Sequence, residues 1–169
     1  MPSTVPALKP LSKGGIESAL ERAERYRLLN EPSQAESICL DILEIDGENQ
    51  RALVLLLLAI TDAFSEQPGG SSRALALVPR LSGDYNRAYY AGLIHERLAR
   101  AIVSRGGMGW GHGAYSALTQ AMKHFEQAEG LRPAGNDDAI LRFNACVRLM
   151  SSNQGIQEAP KSDPCDLLE

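Results

Sequence analysis

The apolar residues of this chain recur mostly at intervals of three and four, which is the period of an amphipathic α-helix. Between about residues 15 and 151 this pattern predicts seven helices. The third, from Asn49 to about Phe64, is apolar on every face between Ala52 and Ile60. Because a helix of that kind has to be covered on both sides, we expect it to be the central helix of a layered stack.

Polar residues at the junctions predict where several helices begin and end. Asn30 can end the first helix in a left-handed conformation. Ser33 and Glu36 have the spacing of a capping box at the start of the second helix. Asn49 and Asn136 are suited to cap the third and the seventh helices, so we expect those helices to begin there.

The fifth and sixth helices flank a glycine-rich segment. The fifth is predicted from Asp84 to about Val103, and its Gly92 is small enough to let a neighbouring helix approach closely. The sixth is predicted over residues 114–130. Residues 106–113, which contain five glycines among eight residues, are therefore expected to form a loop.

Two stretches of the chain share one spacing of small and apolar residues followed by a helix stop. In each stretch the four positions are separated by four, three and five residues. A small residue, two apolar residues on the same stripe and a helix stop are typical of a stacked helix pair, so the recurrence predicts helical repeats. The two sets are Ala35, Cys39, Ile42 and Gly47, and Ala121, Phe125, Ala128 and Pro133.

With these residues the chain resembles the tetratricopeptide repeat (TPR) family, as a divergent, bacterial-type member. The match also includes the junction at residues 46–52, Ala23 with Tyr26, and Gly92 with Leu98. It covers about residues 15–151. The resemblance implies an all-α fold, namely a right-handed α-α superhelix of about three TPR-like helix pairs plus a C-terminal capping helix.

The resemblance also implies a function. In TPR stacks the first helix of each pair lines a concave groove that holds a peptide. A noncatalytic scaffold or adaptor that binds a peptide or protein surface is therefore expected, and solvent exposure or simple packing remains the alternative for each lining residue. The residues that would line the groove are Glu24, Arg27, Arg51, Val54, Leu58, Tyr89, Leu93 and Glu96.

Three interpretations of residues 106–113 remain open. The segment can be a mobile linker whose Trp110 packs back on the helices. It can be a lid or docking loop over the groove, with Met108 and Trp110 as anchors. It can also direct backbone amides at a phosphate, although neither nucleotide-binding fingerprint is met. The second function class is therefore a small-ligand or anion-binding helical domain gated by this loop, with His112 as a further candidate contact.

Composition narrows the function classes. The 169 residues carry a formal net charge of −4 and are 44% hydrophobic, as in an ordinary globular domain. An acidic chain lacks the basic field that sequence-independent binding of nucleic acid needs. We expect residues 1–13 to form a disordered Pro-rich leader, 14–151 the TPR-like domain, and 152–169 a flexible polar, acidic tail.

Cysteine usage and hydropathy predict a cytoplasmic protein. Cys39, Cys146 and Cys165 lack the spacing of metal ligands, and the first two lie on apolar stripes where a reduced thiol packs as a small hydrophobic group. The longest apolar run has nine residues, whereas about 20 span a bilayer. We therefore expect no membrane association.

Catalytic and cofactor motifs are missing from the sequence. Residues 95–99 begin like a zinc-protease helix, but Ala99 stands where the second His is required. His95, His112 and His124 have no paired ligand spacing. We therefore expect no enzyme activity, no metal and no cofactor, with a protein or peptide as the partner. An uncovered apolar face of the third helix would also favour a homodimer.

Overall fold

The computed structural model of the protein describes residues 5–67 and 69–160. Cys165, residues 1–4 of the expected leader and the expected tail from residue 161 lie outside these ranges. Within them the chain is helical and contains no β-strand, which confirms the all-α class. The α-helices in these ranges are α1 (Ile16–Leu28), α2 (Pro32–Ile45), α3 (Gln50–Asp62), α4 (Gly70–Leu77), α5 (Asp84–Arg105), α6 (Trp110–Leu131) and α7 (Asp138–Ser151).

Contacts between helices divide the chain into two compact units, Met1–Gly83 and Asp84–Glu169. In the N-terminal unit α1, α2 and α3 all contact one another, and α4 packs on α3. In the C-terminal unit α5, α6 and α7 likewise all contact one another. Residues 14–151, which the sequence assigns to one domain, therefore fall into two units. Each of them contains a helix pair and the helix that follows it.

Two of the predicted helix boundaries are confirmed. Asn30 follows α1 with a φ of +59°, the left-handed conformation. Asn49 precedes α3, and its side-chain oxygen accepts a hydrogen bond from the amide of Ala52 at 3.0 Å. At α7 the predicted cap, Asn136, lies one residue before the N-cap position, and its side chain accepts a hydrogen bond from the amide of Asp138.

The predicted capping box of α2 is wrong. The helix begins at Pro32, and no side chain caps its first turn. Glu36 forms an ion pair with Arg73 of α4 instead of reaching back to the backbone near Ser33. A proline suits the first helical position, because its ring fixes φ near the helical value and its missing N–H would have had no partner there.

The two sets of residues with matching spacing occupy equivalent places in the two units. Each set lies on the second helix of its unit, and each helix ends two residues before the predicted stop, Gly47 or Pro133. All other members of the sets have no exposed surface, so both stripes face a core. These buried residues are Ala35, Cys39 and Ile42 on α2, and Ala121, Phe125 and Ala128 on α6.

The chain continues to pack after α7. Ile156 is buried and belongs to the hydrophobic core of the C-terminal unit. Its amide donates a hydrogen bond to the carbonyl of Asn153 at 3.0 Å. The segment in which we expect a flexible tail from residue 152 therefore contains a turn with a buried side chain.

At the other end of the chain, residues 5–12 contain no helix, and a short 3-10 turn at Lys13–Gly15 leads into α1. The side chains of Val5 and Leu8 are exposed. These residues are the described part of the expected leader.

Across the described residues, none of the helices combines the length and the apolar character that a membrane span requires. The two longest helices, α5 and α6, have 22 residues each. Both carry several charged side chains on their surfaces.

Candidate functional site

Helix α3 has one accessible stripe in an otherwise buried surface. Eight of its thirteen residues are buried. From Arg51 onward, the residues that keep exposed area are Arg51, Val54, Leu58 and Asp62. Their spacing of three, four and four places them on one side of the helix. The first three of these are the groove residues that the sequence predicts on this helix.

Ion pairs join this stripe to α1 near both ends. Arg51 at the start of α3 donates to Glu17 Oε2 at 3.2 Å and to Glu24 Oε2 at 3.1 Å. Near the end of α3, Arg27 Nε donates to Asp62 Oδ2 at 2.8 Å. The two predicted groove residues of α1, Glu24 and Arg27, are therefore both in contact with the stripe.

The order of these ion pairs shows that α1 and α3 run in the same direction. Glu17 and Arg27 are separated by about 15 Å along α1, and their partners Arg51 and Asp62 by about 17 Å along α3, at 1.5 Å per residue. Helix α2 contacts both and is joined to each by a short turn, which makes it antiparallel to them. Helices α1 and α3 are thus successive helices of the same orientation.

The two ends of the stripe differ in how firmly their charges are held. The carboxylates of Glu17 and Glu24 are more than half exposed, and Arg51 is 47% exposed, so each pair contributes at most about 1 kcal/mol. The pair of Arg27 with Asp62 is largely shielded from solvent. We use the name α1/α3 face for the surface formed by Glu24, Arg27, Arg51, Val54 and Leu58.

In the C-terminal unit, two of the three predicted groove residues have no accessible side chain. Leu93 is 2% exposed and Glu96 is 0% exposed. Tyr89 is half-buried, and its ring lies 5.8 Å from the ring of Tyr85 and 6.0 Å from that of Phe125. Of the groove residues predicted on α5, only Tyr89 keeps exposed surface.

Glu96 holds two arginines instead of facing solvent. Nε and Nη2 of Arg100 both donate to Glu96 Oε1 at 3.1 Å, and Nη1 of Arg142 on α7 donates to Oε2 at 3.5 Å. Burial lowers the pKa of Arg142, but its hydrogen bond to Tyr89 and the charge of Glu96 together raise that pKa above the ordinary value. A buried carboxylate is tolerated because such partners neutralise it.

Part of this cluster has a signal in the sequence. Glu96 and Arg100 are four residues apart on one helix, with the acid first, which is the favourable order for a helical ion pair. Arg142 lies 46 residues away from Glu96 on another helix, and no local pattern connects the two. Neither Arg100 nor Arg142 was predicted from the sequence as a functional residue.

The prediction of a loop over residues 106–113 is wrong for its second half. Helix α6 begins at Trp110, so only residues 106–109 are outside a helix. Gly106, Gly107 and Gly109 have positive φ values, and Met108 is exposed. The amide of Gly106 donates to the carbonyl of Ile102, and that of Trp110 donates to the carbonyl of Gly107.

The first turn of α6 packs tightly on the segment after α7. A Cβ atom on Gly155 would lie 2.6 Å from Cζ2 of Trp110, and one on Gly111 would lie 1.9 Å from the carbonyl oxygen of Gly155. Nδ1 of His112 donates to the carbonyl of Gln157 at 2.9 Å. Trp110 and His112, two of the three predicted loop contacts, are therefore engaged with residues 155–157.

Two of the three histidines lie together between α5 and α6. The rings of His95 and His124 stack with centroids 5.6 Å apart. Burial lowers the pKa of both, and Nδ1 of His124 has no hydrogen-bond partner. Among the residues that the structure describes, no three His, Cys, Asp or Glu side chains are grouped so that they could hold a metal ion.

The two described cysteines are buried thiols. Cys39 and Cys146 have no exposed surface and form no disulfide. Burial raises the pKa of each thiol to about 12. Since the thiolate is the reactive form, both side chains act as packing groups.

Comparison with protein-family models, with curated proteins and with solved structures finds no match for this chain. The functional interpretation of the α1/α3 face therefore depends on its own geometry and chemistry.

Proposed function

We propose that this protein is a noncatalytic TPR-like scaffold or adaptor, which binds a peptide or protein surface on the first helices of its helix pairs. A right-handed superhelix of about three helix pairs with a C-terminal capping helix is part of the proposal, as is a cytoplasmic location. The observation that carries it is the α1/α3 face: a single accessible stripe on a buried helix, joined by ion pairs to a parallel helix.

The α1/α3 face has the composition of a binding surface. Val54 and Leu58 are half-buried apolar side chains one helical turn apart. Arg51 and Glu24 are exposed charges beside them. An apolar centre with a polar rim is the usual anatomy of an interface, and truncation of a few central side chains removes most of the affinity.

The ion pairs of Arg51 with Glu17 and Glu24 are exposed, so replacing one of them by an ion pair with a partner costs little free energy. Arg51 gains little from Glu17 and Glu24, because all three are solvated. A partner carboxylate can therefore replace one of the two glutamates while its apolar neighbour covers Leu58. The partner segment that fits best carries an acidic residue near an apolar one.

In the C-terminal unit the corresponding first helix is α5, and Tyr89 is its candidate contact. A tyrosine that is half-buried offers both an apolar ring and a polar tip, and this residue type is enriched at interfaces. Leu93 and Glu96 are not part of the proposal, because their side chains are buried.

The alternative function, a ligand site gated by the glycine-rich loop, has less support. Trp110 and His112 belong to α6 and contact residues 155–157, so the segment outside a helix is four residues long. Met108 is the one predicted loop contact in that segment, and it is exposed.

A peptide selection tests the proposed function. Random peptides displayed on phage are selected on the full chain, and the affinities of the selected peptides are measured for the double variant Val54→Ser, Leu58→Ser. We expect at least a tenfold loss of affinity, because burial of one aliphatic side chain is worth about 1.5–3 kcal/mol.

Two further variants make this test specific. Val147→Ser changes an exposed apolar residue of α7 and is the matched control, which should bind the peptides as the unmodified chain does. Arg51→Glu reverses one exposed charge and leaves the core untouched, so it covers the case in which the double variant is unstable. Peptides that bind all variants equally well would contradict a site on the α1/α3 face.

A further inference from the structure

A second concave surface lies between α2 and α4, on the other side of α3. Its floor includes Leu56 and Ile60, which are two positions along from Val54 and Leu58 and therefore about 200° around the helix. The groove has a volume of about 640 Å³. That volume lies within the range of clefts that bind small ligands.

The walls of this α2/α4 groove are apolar and partly exposed. Leu40 and Leu43 of α2 form one wall, and Leu77 of α4 contributes to the other. Leu40 is 48% exposed, which leaves a large apolar side chain in contact with water. A leucine-sized side chain placed in the groove would remove this area from solvent, which is the main source of affinity for an apolar group.

The charges on the rim of the groove are unbalanced. The side chains of Asp41 and Glu44 on α2 make no hydrogen bond or ion pair with any other residue that the structure describes. On the α4 side, Arg73 pairs with Glu36, and the Arg80 guanidinium donates to a backbone carbonyl of the α2–α3 turn. The two carboxylates of α2 are therefore available to a basic group.

The described part of the leader lies at one end of this groove. Leu8 lines the groove, and Lys9 lines an adjoining cavity of about 360 Å³ together with Asp41 and Glu44. Leu8 is 88% exposed, so its side chain is not seated between the walls. The chain thus places a leucine followed by a lysine beside an apolar groove with an acidic edge and leaves the groove open.

We propose that the α2/α4 groove binds a segment of a partner protein in which a leucine-type residue is followed by a basic residue. The apolar side chain packs between Leu40 and Leu77 over the floor of α3. The basic group pairs with Asp41 and Glu44. This site is independent of the α1/α3 face, because the two surfaces use opposite sides of α3.

The probe for this proposal is a short synthetic peptide of alanine and serine with one central leucine followed by a lysine, labelled with a fluorophore and added to the full chain. Fluorescence anisotropy should report saturable binding. Replacing that leucine by serine should weaken binding at least tenfold, since the buried side chain supplies most of the affinity. Asp41→Lys in the protein should weaken it about fivefold through loss and reversal of one rim charge.

Controls separate the groove from general charge effects and from the proposed function. Glu48→Lys makes the same charge change on the α2–α3 turn, outside the residues that line the groove, and should leave the peptide affinity unchanged. The double variant Val54→Ser, Leu58→Ser should also bind this peptide normally. The double variant therefore tests the α1/α3 face, and Asp41→Lys tests the α2/α4 groove.

Three outcomes would overturn the proposal. The first is an absence of saturable binding. The second is an equal loss of affinity in the Asp41→Lys and Glu48→Lys variants. The third is binding only when Leu8 and Lys9 of the protein itself are both changed to Ser, which would identify the leader of the same chain as the occupant of the groove.

Discussion

Gly92 of α5 lies directly against the ring of Phe125 of α6. A Cβ atom on Gly92 would be 2.7 Å from Cε1 and 2.8 Å from Cδ1 of that ring. Phe125 has no exposed surface, so its ring has no room to move away. The absence of a side chain at this position therefore sets how closely the two helices approach, which confirms the close packing predicted at Gly92.

A substitution at this contact should destabilise the protein, although alanine is normally the better helix residue. We expect Gly92→Ala to lower the free energy of unfolding by about 1–3 kcal/mol, because the added methyl group forces a shift in a packed core. The matched control is Gly130→Ala, since no atom lies within 4 Å of a Cβ there. That control should raise stability by about 0.5–1 kcal/mol. Urea unfolding measures both, and equal effects of the two variants would contradict the role of the contact.

The contact between Gly111 and Gly155 makes a prediction for the segment after α7. Gly111→Ala should displace residues 153–157, because the added carbon would overlap the carbonyl oxygen of Gly155. Trp110 packs on Gly155 and is the one tryptophan of the sequence, so its fluorescence should shift to longer wavelength as its ring becomes exposed.

Gly113→Ala is the control for this displacement. A Cβ atom there would meet Ile102 at 3.7 Å, an ordinary contact distance. Its fluorescence should match that of the unmodified chain. An unchanged spectrum in the Gly111→Ala variant would show that the segment is not held by this contact.

The buried carboxylate of Glu96 predicts unequal effects of arginine substitutions on α5. Arg100→Met removes two hydrogen bonds from Glu96 and leaves it only the longer one from Arg142, at 3.5 Å, so we expect a loss of about 2 kcal/mol. Arg105→Met changes an exposed arginine near the end of the same helix and should alter stability by less than about 0.5 kcal/mol. Chemical denaturation monitored by circular dichroism compares the two. Equal losses would mean that the neutralisation of Glu96 contributes nothing.

The stacked histidines predict a loss of stability in mild acid. Burial lowers the pKa of His95 and of His124 in the folded chain, so the unfolded chain binds protons more readily below its own pKa of about 6.5. The contribution of these two histidines to the free energy of unfolding should therefore be constant above about pH 6.5. It should become unfavourable as the pH drops below about 6.5. Each protonated ring would also repel the other.

Carboxylates that become protonated in acid also change the stability of a protein. A histidine variant separates the contribution of the His95–His124 stack from theirs. His124→Phe keeps an aromatic ring at the stack and removes one titrating group, so its loss of stability between pH 7.5 and pH 5 should be smaller than that of the unmodified chain. His112→Gln, which changes an exposed histidine at the start of α6, should show the unmodified loss. Thermal unfolding across this pH range makes the comparison, and identical pH profiles for all three proteins would exclude the stack as the cause.

Features that depend on local sequence were predictable. The period of the apolar residues predicts the helices, and the two matching sets predict which residues of α2 and α6 are buried. The ends at Asn30 and Asn49 follow from the conformational and hydrogen-bonding preferences of one residue type. In all these cases the physical cause lies within a few residues of the feature.

Features that depend on distant partners were not predictable. Glu36 has the right spacing for a capping box, but Arg73, which is 37 residues away, binds it. Four residues with low helix propensity, 110–113, form the first turn of α6 because residues 155–157 pack on them. Glu96 was expected to contact a partner because the resemblance to TPR stacks implies a position in the groove, but its buried carboxylate binds Arg100 and Arg142 instead.

The accessible stripe of α3 was partly predictable. The residues from Ala52 to Ile60 are all apolar, so apolar character alone does not separate the accessible stripe from the buried faces, and the choice of Arg51, Val54 and Leu58 follows from the resemblance to helical repeats. The ion pair of Arg27 with Asp62, which fixes the direction of α1 along α3, requires the tertiary structure.

The burial of α3 determines how the N-terminal unit unfolds. Since eight of its thirteen residues are covered by its neighbours, its amide hydrogens can exchange with solvent only when the whole unit opens. The amides of α3 should therefore be the slowest to exchange in this unit, while those of the short α4 exchange through local fraying. A protease should therefore cleave this helix later than the other helices of the N-terminal unit.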